Sequence, residues 1–154
     1  MNDIYEMMST LRAVRKLRPD PIPDDVIEQV LQAAAWAPTG GNMQPWRVIV
    51  VRSEERKQAL ADVYRPAWYR YAKGYDARIE QLPEDEAEKA RRNRVAGDFL
   101  ADHLQEAPII LMFVADPKMM AITDAKLDRV SMVGGGSVYT AVQNAMLAAR
   151  TEGL

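Results

Sequence analysis

The chain contains no cysteine and only one histidine, His103. The absence of cysteine excludes disulfides, thiolate nucleophiles, iron–sulfur clusters and cysteine-ligated zinc, and one histidine cannot build a multi-histidine metal cage. His103 lies near the end of a densely charged predicted helix, where a histidine is more often a surface residue than a proton donor. Most catalytic chemistry that protein side chains carry is therefore excluded.

The sequence also lacks a long hydrophobic run and an excess of one charge. Its longest apolar run, Ile109 to Ala115, is far too short to cross a bilayer. Residues 1–8 are acidic and have no basic stretch of the kind that opens a secretory signal. Twenty Lys and Arg against 22 Asp and Glu give a net charge of -2, so no overall field attracts nucleic acid or anionic lipid. We expect a cytoplasmic protein with neither a membrane nor a nucleic-acid partner.

The length and composition indicate one globular domain. The chain has 154 residues, of which 48% are hydrophobic, enough for a sizeable core. Hydrophobic periodicity, with proline and glycine as breakers, predicts helices alternating with two short apolar strands. The predicted helices cover 4–11, 24–37, 53–63, 83–105 and 137–152, and the predicted strands cover 46–51 and 109–114.

The second predicted helix is apolar around much of its circumference. Its stripe runs from Val26 to Ala37 and includes Trp36. Such a helix is expected to be buried on more than one side, in a domain core or at a subunit interface. Pro38 ends it.

Glycines 134–136 open the last predicted helix. A dinucleotide-binding fingerprint is disfavoured, because Tyr139 stands where the third glycine belongs and no strand immediately precedes the motif. Glycines at a helix N-terminus allow bare N–H groups to approach an electron-rich or anionic ligand. A plain flexible turn is an equally open interpretation.

Three further features have both a functional and a structural interpretation. Arg12 and Arg15 can converge on a phosphate, although two arginines are more often solvated surface. Asn42 and Gln44 can aim amides at a planar heterocycle, although an Asn that bonds its own turn is more common. The aromatic residues between Tyr64 and Tyr75 are more often core packing than a lid, but they lie in a long insertion between two strands.

Three segments together resemble the FMN-dependent nitroreductase family. They are residues 11–17 (LRAVRKL), residues 35–46 (AWAPTGGNMQPW) and residues 141–149 (AVQNAMLAA). The middle segment is the specific one, because an apolar helix that ends in this loop before a buried strand is unusual. The resemblance covers nearly the whole chain.

The resemblance implies an α+β fold, with helices packed around a central mixed, mostly antiparallel sheet. It also implies an intertwined homodimer with two FMN sites at the subunit interface. Residues 1–154 are then a single FMN-binding domain, in which the insertion 64–105 is a possible lid.

The resemblance also places the cofactor site. Arg12, Ala13 and Arg15 match the segment that holds the FMN phosphate, ribityl chain and pyrimidine edge. The other matches are the loop that reaches the flavin, partly from the opposite subunit, and the helix start beside flavin N5. These residues are Pro38, Thr39, Asn42, Gln44, Gly135, Gly136 and Ser137.

The sequence departs from the family pattern in two ways. Leu11 and Ala13 stand where many members have Arg and Ser, and Leu17 replaces a common aromatic residue. The family usually continues beyond the position of Leu154, with a further strand and basic residues that contact the phosphate. We therefore expect the C-terminal part of the family fold to be missing here.

The expected function is that of an NAD(P)H-dependent FMN oxidoreductase. Hydride would pass from NAD(P)H through flavin N5 to a small-molecule acceptor, a nitroaromatic, a quinone or an activated alkene, in a ping-pong mechanism. No catalytic side chain and no metal are required, because the flavin carries the chemistry. The alternative is a protein that binds or sequesters flavin without turnover.

Overall fold

The computed structural model describes residues 3–120, 122–124, 126–130 and 135–154. The chain divides into two compact units that alternate along the sequence. The first, here called the sheet unit, consists of residues 1–12, 22–50 and 111–154. The second, the hairpin unit, consists of residues 13–21 and 51–110.

The described residues form five α-helices and one two-stranded sheet. The helices are α1 (Ile4–Thr10), α2 (Asp24–Ala35), α3 (Glu54–Ile79), α4 (Glu84–His103) and α5 (Gly136–Thr151). The strands are β1 (Trp46–Val51) and β2 (Ile110–Ala115), and short 3₁₀ turns occupy Gly40–Asn42, Leu104–Glu106 and Pro117–Met119. The sheet is antiparallel, since the Asp116 N–H beyond β2 donates to the Pro45 carbonyl before β1 at 2.9 Å. The predicted α+β class is confirmed.

Local chemistry explains where most helices begin. The Asp3 carboxylate accepts the Tyr5 N–H at 3.0 Å and caps α1. Prolines precede α2 and α4, and acidic residues fill their first turns. Ser53 occupies the N-cap position of α3, although its hydroxyl makes no capping hydrogen bond. Gly153, with φ of 82°, follows the end of α5.

The core of the sheet unit lies between α2 and α5. Its buried side chains are small, so the two helix backbones approach closely, and the rings of Trp46 and Phe113 pack against it. The buried set is Val30, Ala34, Ala37, Ala141 and Ala145. Trp36, directly after the end of α2, is 75% exposed. The described residues therefore leave this part of the predicted apolar stripe uncovered.

The hairpin unit consists mainly of the antiparallel helix pair α3 and α4. The length of α3 differs from the prediction. The predicted helix 53–63 continues to Ile79, through Pro66, so the aromatic residues 64–75 are helical rather than part of a loop. Proline inside a helix removes one backbone hydrogen bond. Contacts with α4 compensate: the Trp68 indole N–H donates to Asp98 at 2.8 Å, and the Tyr69 hydroxyl donates to Asp102 at 2.9 Å.

None of the described helices combines the length and apolar character that a membrane span needs.

Candidate functional site

The loop between α2 and β1 has an unusual backbone. Gly41, Asn42 and Gln44 have φ angles of 57°, 55° and 45°, in the left-handed region. Asparagine tolerates this region, whereas glutamine rarely adopts it. The Thr39 hydroxyl accepts the Gln44 N–H at 3.1 Å and stabilises the turn. Strained backbone of this kind is concentrated at functional sites.

The start of α5 presents bare backbone N–H groups. Gly135, with φ of 88°, precedes the helix, and its carbonyl accepts from the N–H groups of Val138 and Tyr139. Among the described residues, the N–H groups of Gly136 and Ser137 have no acceptor. A Cβ atom added to Gly136 would meet no described atom within 4 Å. The space above this helix start is open and faces unpaired donors.

The loop and the start of α5 contact each other directly, although about a hundred residues separate them in the sequence. The Gly40 N–H donates to the Ser137 hydroxyl at 3.3 Å, and the Thr140 hydroxyl donates to the Pro38 carbonyl at 3.3 Å. We call this contact the loop–helix junction, formed by residues 38–44 and 135–140. It unites seven of the ten predicted site residues: Pro38, Thr39, Asn42, Gln44, Gly135, Gly136 and Ser137.

Two residues whose hydrogen bonds stabilise this junction, Thr140 and Asn144, were not among the predicted site residues. Besides the Thr140 contact, the Asn144 side-chain amide donates to the Ala33 carbonyl at 3.1 Å. Gly136, Thr140 and Asn144 recur every four residues and share one face of α5. This spacing of small and polar residues was a signal that could have identified Thr140 and Asn144.

Trp46, at the start of β1, is a further residue near the junction's loop that was not among the predicted site residues. Its ring packs on Phe113 with centroids 6.2 Å apart, and its indole N–H is buried without an acceptor among the described residues. Buried donors are almost always paired, so this one indicates an acceptor that the described residues do not supply. No sequence signal distinguishes such a tryptophan from ordinary core packing.

The arginine segment is divided between the two units. Arg12 belongs to the sheet unit, and Ala13 and Arg15 belong to the hairpin unit. The Arg12 guanidinium donates to the Leu11 carbonyl at 2.7 Å and that of Arg15 to the Ala13 carbonyl at 3.2 Å. Neither forms an ion pair with another described residue. Their predicted convergence on a phosphate stays a prediction.

Polar groups between α3 and α4 are already partnered inside the hairpin unit. Arg94 pairs with Asp76 at 2.9 Å and also with Asp98, and its guanidinium lies 5.9 Å from the Trp68 ring centre. The hydrogen bond to the Asp102 carboxylate raises the pKa of Tyr69, and burial adds to this effect. These groups bind the two helices together, and the lid interpretation of residues 64–105 stays a prediction.

His103 ends α4 and is half-buried, so the expected surface position is wrong. Its ring stacks on Phe99 with centroids 4.1 Å apart and planes 13° apart. Its Nδ1 lies 2.8 Å from the Phe99 carbonyl oxygen, so Nδ1 carries the proton and donates. The charged stretch that suggested solvent exposure lies earlier on the helix.

Two solved structures define the class to which this fold belongs. Oxidized iodotyrosine deiodinase bound to FMN and 3-iodo-L-tyrosine superposes with a TM-score of 0.66 at 22% identity, covering 98% of this chain and 71% of that one. Nitroreductase with bound FMN from Bacteroides fragilis gives 0.63 at 20% identity, covering 99% and 67%. The fold is therefore the α+β fold of these FMN-bound proteins.

Sequence comparison assigns the family. The nitroreductase family model matches residues 10–154. The chain belongs to the nitroreductase family, whose members are generally flavin oxidoreductases. The resemblance on which the sequence interpretation rests is confirmed.

The curated relatives are of two kinds. Iodotyrosine deiodinase 1 of Rattus norvegicus is 25% identical over 150 residues, which is 94% of this chain and 50% of that protein. NADH dehydrogenase of Thermus thermophilus is 43% identical over 51 residues, 33% of this chain and 25% of that protein. The chain thus spans at most about half the length of these relatives.

Proposed function

We propose that this protein is an FMN-dependent oxidoreductase that uses NAD(P)H to reduce nitroaromatics, quinones or activated alkenes by a ping-pong mechanism. The observation that carries the proposal is the loop–helix junction, where the Gly40 N–H meets the Ser137 hydroxyl at 3.3 Å. It joins the specific segment, residues 35–46, to the glycine-rich start of α5 around open space. Bound FMN would supply the chemistry, accepting hydride at N5 and passing it to the acceptor.

The junction residues fit a flavin. The unpaired N–H groups of Gly136 and Ser137 suit an electron-rich ring atom at a helix N-terminus. The amides of Asn42 and Gln44 are exposed and have both donors and acceptors for the edge of a heterocycle. The absence of a Cβ atom at Gly136 leaves room for a flat ring over the helix start.

The arginines would supply the positive charge that the cofactor needs. Arg12 and Arg15 have no carboxylate partner among the described residues, so their charge is available to a phosphate or to an anionic reduced flavin. No side chain acts as a nucleophile, which agrees with the lack of cysteine. The residues bind and orient the cofactor and shape the approach of the acceptor.

The first experiment is an FMN titration followed by flavin fluorescence, with turnover of NAD(P)H and a quinone measured afterwards. We expect a saturable complex and quinone-dependent NAD(P)H oxidation. Binding without oxidation would favour the alternative of a flavin-sequestering protein. A protein that binds no FMN would contradict both.

Gly136→Ala tests the position of the flavin. A methyl group at residue 136 meets no described atom within 4 Å, so the fold should tolerate it, while a ring lying on the helix start would be displaced. We expect FMN affinity to fall by at least about tenfold, as for a lost close contact in a packed site. Gly74→Ala, equally open and located on α3, is the matched control and should leave affinity unchanged.

Arg15→Ala should weaken FMN binding, because it removes one of the two arginines in the segment matched to the phosphate and pyrimidine. A loss of about 10- to 100-fold is expected for a charge-assisted hydrogen bond. An unchanged dissociation constant would show that Arg15 does not contribute to FMN binding. Arg18→Ala, which removes a guanidinium already paired with Asp20 at 2.6 Å, is the control.

A second candidate function is reductive dehalogenation of an aromatic halide. It is favoured by the similarity to rat iodotyrosine deiodinase over 94% of this chain and by the TM-score of 0.66. Incubation of the reduced holoprotein with 3-iodo-L-tyrosine and an iodide assay would separate the two. Iodide release faster than quinone reduction would favour the dehalogenase.

A further inference from the structure

Residues 13–21 carry Arg15 but have no regular structure of their own. No backbone hydrogen bond joins them to another described residue. Their side-chain bonds are local, from Arg15 to the Ala13 carbonyl and from Arg18 to Asp20. Contacts with another element must therefore hold the segment in position.

Those contacts centre on the ring of Phe99, on α4. The Lys16 ammonium lies 5.3 Å from the centre of the ring, within the range of a cation–π interaction. The ring of His103, one helical turn later, stacks on Phe99 with centroids 4.1 Å apart. The His103 Nδ1–H bond to the Phe99 carbonyl fixes the orientation of the imidazole against that ring. Phe99 thus links the arginine segment to the end of α4.

The packing at this contact is close. Arg15 and Leu17 face Phe99 and His103 across a cavity of about 10 Å³. A space of this size holds at most one water molecule. Arg15 and Phe99 therefore border the same small cavity, and a change in the Phe99 ring should be transmitted to Arg15.

We infer that Phe99 is a positioning residue, which holds the Lys16 side chain and thereby places Arg15 for binding the FMN phosphate or pyrimidine. This inference rests on the proposed flavin function. Phe99 acts by keeping the segment in its binding-competent arrangement, so that less of the binding free energy is spent on ordering it. Lys16 supplies the attachment and His103 supports the ring from within α4.

The first test is a double-mutant cycle on FMN affinity. Phe99→Leu should weaken FMN binding about fivefold to tenfold. A loss of this size is expected when only a minority of the molecules keep residues 13–21 in the binding-competent arrangement. In the Arg15→Ala background the same change should have almost no further effect, because Phe99 acts through Arg15. Phe99→Tyr keeps the ring and should restore wild-type affinity. Additive effects of Phe99→Leu and Arg15→Ala would overturn the inference.

Two further variants distinguish the proposed role of Phe99 from a general loss of folding. Lys16→Met removes the charge from an exposed side chain and keeps most of its length, and it should weaken FMN binding about twofold to threefold. Val95→Ala alters an exposed residue one turn before Phe99 and should have no effect. Equal affinity of Lys16→Met and wild type would overturn the role of the cation–π contact.

The second test needs no cofactor. Trypsin cleaves after Arg15 and Lys16, so the rate of cleavage there reports how firmly the segment is held. Phe99→Leu should increase this rate several-fold in the apoprotein, while Phe99→Tyr and Val95→Ala should not. If the wild type binds no FMN, the proposed function fails, whereas an unchanged cleavage rate in Phe99→Leu overturns the positioning role itself.

Discussion

Gln44 shows at the scale of one residue how the site departs from ordinary loop structure. Its φ of 45° is held by the bond from its N–H to Thr39 and by the Arg47 guanidinium, which donates to its carbonyl at 3.1 Å. An L-residue in this region has an energetic cost of about 1–2 kcal/mol. Strain of this kind at Gln44 supports the proposal that its amide contacts the flavin.

Replacing Gln44 by glycine should separate stability from binding. Glycine adopts a positive φ without strain, although it also increases the entropy of the unfolded chain. The free energy of unfolding should rise by up to about 1 kcal/mol, while FMN affinity falls because the amide is gone. Urea unfolding and flavin titration measure the two effects. Gln44→Asn, which keeps an amide, should lose less affinity, and a destabilised glycine variant would contradict the strain argument.

Tyr69 and Asp102 form a titratable pair within the hairpin unit. The folded state raises the pKa of Tyr69 above its ordinary value of 10.0, chiefly because the hydroxyl donates to the Asp102 carboxylate. The protonated phenol is thus favoured by folding. This contribution to stability is complete below pH 10 and is lost as the pH rises through the raised pKa.

The Tyr69→Phe variant tests this linkage. The difference in unfolding free energy between wild type and Tyr69→Phe should be constant below about pH 9 and shrink above pH 10, as the phenol ionises. Chemical unfolding at a series of pH values measures it. Using the difference removes the titration of lysines common to both proteins. A difference that grows with pH would show that the assignment has the wrong sign.

At the scale of elements, the α3–α4 pair depends on one glycine. A Cβ atom at Gly97 would lie 2.1 Å from Cζ2 of Trp68, far inside contact distance. The Trp68 ring has little freedom to move, because its N–H bonds Asp98 and the Arg94 guanidinium lies above it. Gly97 is therefore required by the close approach of the two helices and not by its backbone conformation.

Gly97→Ala should destabilise the protein by about 1–3 kcal/mol, as overpacking does, even though alanine favours the helix. Gly74→Ala, at an open position of α3, should instead stabilise it by up to about 1 kcal/mol. Urea unfolding of both variants measures the contrast. Equal effects of the two substitutions would show that Trp68 yields without cost.

At the scale of the whole molecule, the sheet unit exposes two large aromatic side chains beside its core. Trp36 and Tyr139 are 75% and 74% exposed, next to the core between α2 and α5. Exposed aromatic side chains beside a core are typical of a subunit interface. We propose a homodimer, in keeping with the dimer that the family resemblance implies.

Trp36→Glu should weaken self-association by at least about tenfold, because the loss of a central interface tryptophan costs about 2 kcal/mol or more. The variant should fold, since the side chain is mostly solvent-exposed within the chain. Sedimentation velocity over a concentration series measures the effect. Gln32→Glu, on the same helix and exposed, is the control, and a wild type that is monomeric at all concentrations would contradict the proposal.

The family resemblance grouped residues that the structure places together. Seven of the predicted site residues lie at the loop–helix junction, a contact that their local sequence does not encode, and their binding of FMN stays a prediction. The end of α3 was placed sixteen residues too early, at Val63 instead of Ile79, because a proline normally stops a helix. The contacts of Trp68 and Tyr69 with α4 outweigh that tendency, and they join residues about thirty positions apart.

Composition and local pattern alone determined where most helices begin and excluded thiolate nucleophiles. Each of these depends on residue type or on neighbours within one turn. Only the tertiary structure decided that Gly40 meets Ser137, that Lys16 lies over the Phe99 ring, and that the buried Trp46 N–H has no acceptor among the described residues. These are contacts between distant parts of the chain, and hydrophobic periodicity contains no information about which distant residues will meet.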